Sequence, residues 1–193
     1  IHFPSEENGT INNTTLNLYK IEFNDDTEED ITELNVDLIV NGAIIAAIDA
    51  SITYDFNSAI DVKTLNGTAS LASYSIKGDF KALAKLISAS ASFKENQTSI
   101  VDFSAKLAFN DNVYDELKNA DGHVALFNLN IKGSADIEGV ENNMDAIEDD
   151  MEKLNDYMSM GFYDFSNGDK YGDLRITANA DGIEDLVIVY EDG

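Results

Sequence analysis

The stretch Leu34–Phe56, LNVDLIVNGAIIAAIDASITYDF, decides the fold class of this chain. Leu34, Val36, Leu38 and Val40 alternate with Asn35, Asp37 and Asn41. After Gly42 the alternation resumes as Ile44, Ala46, Ile48, Ala50, Ile52, Tyr54 and Phe56, opposed by Ile45, Ala47, Asp49, Ser51, Thr53 and Asp55. Successive side chains of an extended strand leave opposite faces, so a period of two marks a strand with one apolar and one wet face. Gly42 is the natural place for a bend, or for a turn between two strands.

The same pattern extends outward. Upstream, Tyr19, Ile21 and Phe23 suggest a first strand from Thr15, after a polar, flexible lead-in over residues 1–15. Asn24–Glu33 reads as an acidic loop or a single helical turn. Downstream, Ala72, Tyr74 and Ile76 share one face. So do Val101, Phe103, Ala105, Leu107 and Phe109, and then His123, Ala125, Phe127, Leu129 and Ile131. Asn66-Gly67, Lys77-Gly78-Asp79, Asn110-Asp111-Asn112, Asp121-Gly122 and Lys132-Gly133 read as the breaks between strands. Asp79 to about residue 86 reads as a short helix or turn before a strand, and Asn112–Asn119 as one more helical turn. Phe162–Phe165 and Leu174–Ala178 flank the loop Ser166–Asp169, and Asp181-Gly182 turns the chain into Leu186–Tyr190. The spacing of these segments is irregular, so no repeat is read, and residues 16–193 are expected to form a single β-rich domain.

One helix is expected. Met144, Ile147, Met151, Leu154 and Met158 step by three and four residues, with Asp145, Glu148, Asp149, Asp150, Glu152 and Asp156 opposite. That spacing predicts an amphipathic helix over 141–160, ended by Gly161. The predicted fold class is therefore β-rich α+β: an antiparallel meander, curved or barrel-like, with this helix packed against it. Ala46, Ala50, Ala72, Ala105 and Ala125 make the inward face small, which leaves room for a close-packed element or a ligand. All four methionines lie between Met144 and Met160. Methionine is adaptable and suits apolar recognition, so Met144, Ile147, Met151 and Met158, with Ala46 and Ala50, are the candidate ligand-binding residues.

Composition bounds the function. The 193 residues carry 37 Asp plus Glu against 12 Lys plus Arg, a formal net charge of −25. That field repels phosphate backbones and anionic lipid, which argues against nucleic-acid binding, and attracts cationic partners and divalent metals. The absence of cysteine removes disulfides, thiolate metal sites and cysteine nucleophiles. No apolar run is long enough for a transmembrane helix. With only His2 and His123, and no Gly-x-Ser-x-Gly elbow, neither a zinc site nor a serine triad is assembled. Calcium is the one ion the composition favours. Asn110-Asp111-Asn112, Asn167-Gly168-Asp169 with Asp173, and Asn179-x-Asp181-Gly182 supply oxygen ligands, but none completes a calcium-loop pattern. No metal site and no cofactor is assigned, and no catalytic residue.

In composition the chain resembles exported lipoprotein-type domains of unknown function from Gram-negative gut bacteria. The shared features are the polar segment Pro4–Thr15, a single proline, no cysteine, many Asn/Asp turns, and the ending from Ala180-Asp181-Gly182-Ile183 to Tyr190-Glu191-Asp192-Gly193. The resemblance implies an extracytoplasmic location, periplasmic or cell-surface, with lipid anchoring through a missing N-terminal segment. The expectation is thus a soluble, non-enzymatic envelope or secreted protein that binds an apolar small molecule or a protein partner. The alternative is a carboxylate-dependent hydrolase assisted by calcium.

Overall fold

The computed structural model of the chain describes residues 1–6, 9–25, 27–178 and 184–191. Thirteen strands form one antiparallel sheet in which the spatial order is the chain order: β1 (His2–Phe3), β2 (Thr14–Phe23), β3 (Ile31–Val40), β4 (Ala43–Tyr54), β5 (Val62–Leu71), β6 (Tyr74–Leu83), β7 (Leu86–Glu95), β8 (Thr98–Phe109), β9 (Leu117–Leu126), β10 (Leu129–Asp136), β11 (Met158–Asp164), β12 (Lys170–Ala178) and β13 (Glu184–Tyr190). The meander read from the alternation is therefore present. The order runs from β1 to β13 without returning to its start, so the expected barrel-like closure is corrected to an open sheet. The contacts group the chain into two compact units, Ile1–Ala82 with Ala91–Ser99, and Leu83–Ser90 with Ile100–Gly193.

In the first unit, β2 to β6 are built from the alternating segments. Val36, Ile48, Ala69 and Ile76 stand in one cross-strand row, and Asp37, Ala47 and Ser70 belong to the opposite face. The polar face is knitted by side chains: Asn35 Nδ2 donates to Asp49 Oδ2 at 2.9 Å, and the Thr53 and Thr64 hydroxyls are 2.6 Å apart. The apolar face is not covered, and Ile48, Leu71 and Ile76 are exposed. β1 and the first residues of β2 fall within the segment read as a lead-in.

The second unit repeats this design from β8 to β10 and continues through β13. β7, β8, β9 and β10 begin at Leu86, Thr98, Leu117 and Leu129, each 55 residues after Ile31, Ala43, Val62 and Tyr74 of β3 to β6. The turns repeat too. Asn41 and Gly42 have φ of 51° and 81°, and Asn96 and Gln97 have 47° and 71°. Ala72 at 53° matches Phe127 at 52°. Ala72 N donates to Ile45 O, and Phe127 N to Ile100 O. Asp55 N donates to Asp61 O, and Asn110 N to Glu116 O. The chain thus contains two copies of a four-stranded, 55-residue meander, which corrects the reading of irregular spacing. Identical side chains are sparse between the copies, and the period lies in strand lengths and turn geometry.

Several local expectations fail for one reason. The glycines at 67, 78, 122 and 133, expected at breaks between strands, each lie mid-strand, where Gly67 pairs with Gly78 and Gly122 with Gly133. The chain turns instead at Ala72, Lys85 and Phe127, all with positive φ. Ala84-Lys85 joins β6 to β7, so no helix forms near residues 79–86. Lys118 and Asn119 already belong to β9. The turn Phe127-Asn128 also resets the alternation. Ala125 therefore faces away from Leu126, on the side of Asp102 and Asn130, and not with Leu129 and Ile131.

The single helix over 141–160 is corrected to three short segments: α1 (Ile137–Asn142), α2 (Met144–Asp149) and a 3₁₀ helix over Met151–Asp156. Asp136 caps α1 by accepting from Gly139 N. Asp150, with φ −157° and ψ 95°, is extended and accepts from Glu152 N. Asn and Asp compete for backbone N–H groups in this way, which interrupts a helix whatever the apolar spacing. Met158 and Met160 then lie in β11. The 3₁₀ helix is tied to β12 by Asn155, whose side chain donates to Ile176 O at 2.7 Å and accepts from Ile176 N at 2.9 Å.

Candidate functional site

One apolar surface that forms a groove is the face of β8–β11 in the second unit. It is assembled from three cross-strand rows: Phe103–Val124–Ile131–Phe162, Ala105–Gly122–Gly133–Met160, and Leu107–Ala120–Ala135–Met158. The middle row lacks bulk in its first three strands, so the face is notched across the strand direction. A groove of about 400 Å³ lies there, walled by Phe103, Val124, Ile131, Met158 and Met160. Val124 is 46% exposed, Met158 45% and Met160 41%. Glycine inside a strand weakens it, and its recurrence marks a place where another group approaches the backbone closely. A Cβ at Gly122 would stand 3.0 Å from Ser104 O, so the floor is at its limit of approach. The first unit has the same row in Ala50–Gly67–Gly78.

Of the six candidate residues, Met158 lines this groove. Met144 and Met151 are exposed on separate helical segments, and Ile147, at 3% exposure, is buried. The heptad spacing therefore does not produce one methionine face. Ala46 and Ala50 lie in β4 of the first unit, paired with Leu38 and Leu71 and with Leu34 and Gly67. Sequence reading missed Gly122, Gly133, Val124 and Met160. The signal that finds the two glycines is the 55-residue offset, which aligns Asn66-Gly67 with Asp121-Gly122, and Ile76-Lys77-Gly78 with Ile131-Lys132-Gly133.

The opposite face of the second unit is polar. Ser104 Oγ and His123 Nδ1 are 2.7 Å apart across β8 and β9. In a hydrolytic triad Nδ1 faces a carboxylate and Nε2 the nucleophile, the reverse of what this contact offers. His123 is flanked by β8 and β10, so its neighbouring backbone N–H groups are held in the ladder and do not form an oxyanion hole. Beyond it lies a depression of about 480 Å³ edged by Lys132, Tyr163, Lys170, Asp173 and Arg175. Lys132 Nζ sits 4.6 Å above the Tyr163 ring. Lys170 bridges Asp173 at 2.7 Å and Glu191 at 3.0 Å, and its pKa is pushed up to about 12 by the hydrogen bonds to these two carboxylates. Arg175 also reaches Asp173, at 3.4 Å. These charges are satisfied against one another, which makes this cluster a stitch between β12 and the segment after β13.

The oxygen-rich loops are likewise engaged in turns. Asp111 Oδ1 accepts from Val113 N and Asp115 N. Asn167 Nδ2 donates to Asp169 Oδ2 at 2.8 Å. The third loop, Asn179-x-Asp181-Gly182, lies outside the described residues. Among the described residues no three of His, Asp and Glu converge as a metal site, and no helix is long and apolar enough to cross a membrane. No family model, no curated protein and no solved structure matches the chain.

Proposed function

We propose that this chain is a non-catalytic binding protein whose apolar β8–β11 face receives an apolar ligand or the apolar surface of a protein partner. The observation that carries this reading is the Ala105–Gly122–Gly133 notch set into an exposed apolar face. Each methylene laid in such a groove contributes about 0.8 kcal/mol, so six contribute about 5 kcal/mol before the costs of association. The Ser104–His123 contact, made through Nδ1, favours this reading over a hydrolase. An extracytoplasmic setting, secreted or lipid-anchored in the envelope, rests on the compositional resemblance, and fractionation of the host cell tests it.

The site itself is tested by native mass spectrometry of protein purified from its own host, wild type beside Met160→Glu and Val124→Glu. Both side chains are exposed, so the variants are expected to melt within a few degrees of wild type. An apolar adduct or partner present on wild type and lost from both variants is the expected result. Equal occupancy on all three proteins would remove the groove from consideration.

A further inference from the structure

The chain has no cysteine, so its sulfur is carried entirely by Met144, Met151, Met158 and Met160. An oxidant that thiols would otherwise absorb meets only thioethers here. All four side chains stand in water, Met144 at 44%, Met151 at 36%, Met158 at 45% and Met160 at 41% exposure. Oxidation therefore reaches each of them, and position decides what it does. Met144 and Met151 open separate helical segments, and neither lines the groove. Met158 and Met160 are two residues apart on β11, so both leave the same face of the sheet. Met160 lies opposite Gly133 and Met158 opposite Ala135, small partners that leave both thioethers open on that flank.

The reaction needs a two-electron oxidant of the peroxide class. The sulfur lone pair attacks one oxygen of hydrogen peroxide, the O–O bond breaks, and the other oxygen leaves as water. The thioether is oxidised to the sulfoxide and the peroxide is reduced. A dithiol reductant reverses this: the sulfoxide oxygen leaves as water and the two thiols close to a disulfide. The sulfoxide oxygen is a hydrogen-bond acceptor on what was an apolar wall. The neighbouring Phe103, Val124 and Ile131 side chains have no donor to offer it. Water fills that role, and an apolar ligand would have to strip the water to lie in the notch.

We propose that Met158 and Met160 form a reversible oxidation site that closes the β8–β11 groove to apolar ligands when the two thioethers become sulfoxides. The site operates on the groove proposed above and depends on that reading. In the reduced state methionine is apolar and adaptable, which suits it to line such a surface. As the sulfoxide the same side chain is polar and chiral at sulfur, so one oxygen atom changes the character of the wall. The exposure of both side chains lets this happen with β11 still paired, whereas oxidation of a buried thioether disrupts a core.

The test uses the full chain, hydrogen peroxide and the neutral apolar dye N-phenylnaphthylamine, with peptide mass spectrometry reading sulfoxide at each methionine. Reduced wild type is expected to bind the dye, and protein converted at Met158 and Met160 to bind it at least about tenfold more weakly. Methionine sulfoxide reductases of both epimer specificities, supplied with dithiothreitol, should restore binding. The Met144→Leu/Met151→Leu variant should lose affinity on oxidation as wild type does. The Met158→Leu/Met160→Leu variant, compared with itself before and after peroxide, should show no change. In wild type, bound dye should slow sulfoxide formation at Met158 and Met160 and leave Met144 and Met151 unaffected, a measurement that needs no variant. Unchanged affinity after full conversion at Met158 and Met160, a peroxide-induced loss that persists in the Met158→Leu/Met160→Leu variant, or equal oxidation rates with and without dye would each overturn the inference. Failure of the reduced protein to bind the dye would overturn the groove reading itself, and the oxidation site with it.

Discussion

Gln97 holds, in the second copy of the repeat, the turn position that Gly42 holds in the first, at φ 71° against 81°. A side chain at left-handed φ costs about 1 kcal/mol relative to glycine. Gln97→Gly is therefore expected to stabilise the chain by up to about 1 kcal/mol, less the extra freedom that glycine adds to the unfolded state. Urea unfolding reads this directly, and an unmoved midpoint would show that the β7–β8 turn carries no strain. The two turns were not equally legible. Asn41-Gly42 announces itself because the pair suits two successive left-handed residues. Asn96-Gln97 does not, since glutamine has no turn preference of its own. Ala72, Lys85 and Phe127 were hidden for the same reason, and the mid-strand glycines drew the turns to the wrong places.

At the scale of elements, the β11–β12 hairpin hangs on one carboxylate. Asp164 accepts from the hydroxyl and the amide of Ser166, from Asn167 N, and from Tyr171 Oη at 2.6 Å. The Ser166 hydroxyl, then Tyr171, hold its carboxyl down at about 2, below the ordinary 3.8. A depressed carboxylate supports the fold above its unfolded pKa and loses that support as pH falls through its folded one. The hairpin is thus expected to loosen between about pH 4 and pH 2. A carboxyl NMR titration of Asp164 checks this, and a midpoint at or above 3.8 would contradict it. The helix shows what the pattern left out. Met144, Met151 and Met158 have helical spacing, but Asn143 and Asp150 stand immediately before Met144 and Met151 as caps, and Met158 is claimed by pairing with Ala135. Cross-strand pairing is invisible to a periodicity taken along one segment. That is also why the groove, whose walls come from four strands, was legible only through Met158.

Large apolar side chains stay in water in each unit: Leu71 is 61% exposed in the first, and Phe127 and Leu186 are each 66% exposed in the second. Alternation correctly assigned one apolar and one polar face to the strands, but it cannot say whether the apolar face meets a second layer. The buried apolar side chains among the described residues are Ala82, Ala125 and Ile147. Heat-capacity change on unfolding follows newly exposed apolar area and is typically about 12–15 cal/mol/K per residue, about 2.3–2.9 kcal/mol/K for a chain of this length. Calorimetry on the isolated chain is expected to give less than about 2 kcal/mol/K. A value at or above the usual range would mean that the faces are covered in solution. The strand order carries a consequence for how the chain acquires its structure. Every strand neighbours its predecessor, and Asn41-Gly42, Ala72-Ser73, Asn96-Gln97 and Phe127-Asn128 each close a hairpin with two residues. Among the described strands only β10 and β11, separated by the helical segments, pair across a long connection, so most of the slow loop closure that delays all-β proteins is avoided. Folding can begin at any hairpin and grow strand by strand, and the N-terminal copy of the repeat can pair while the ribosome is still making the second.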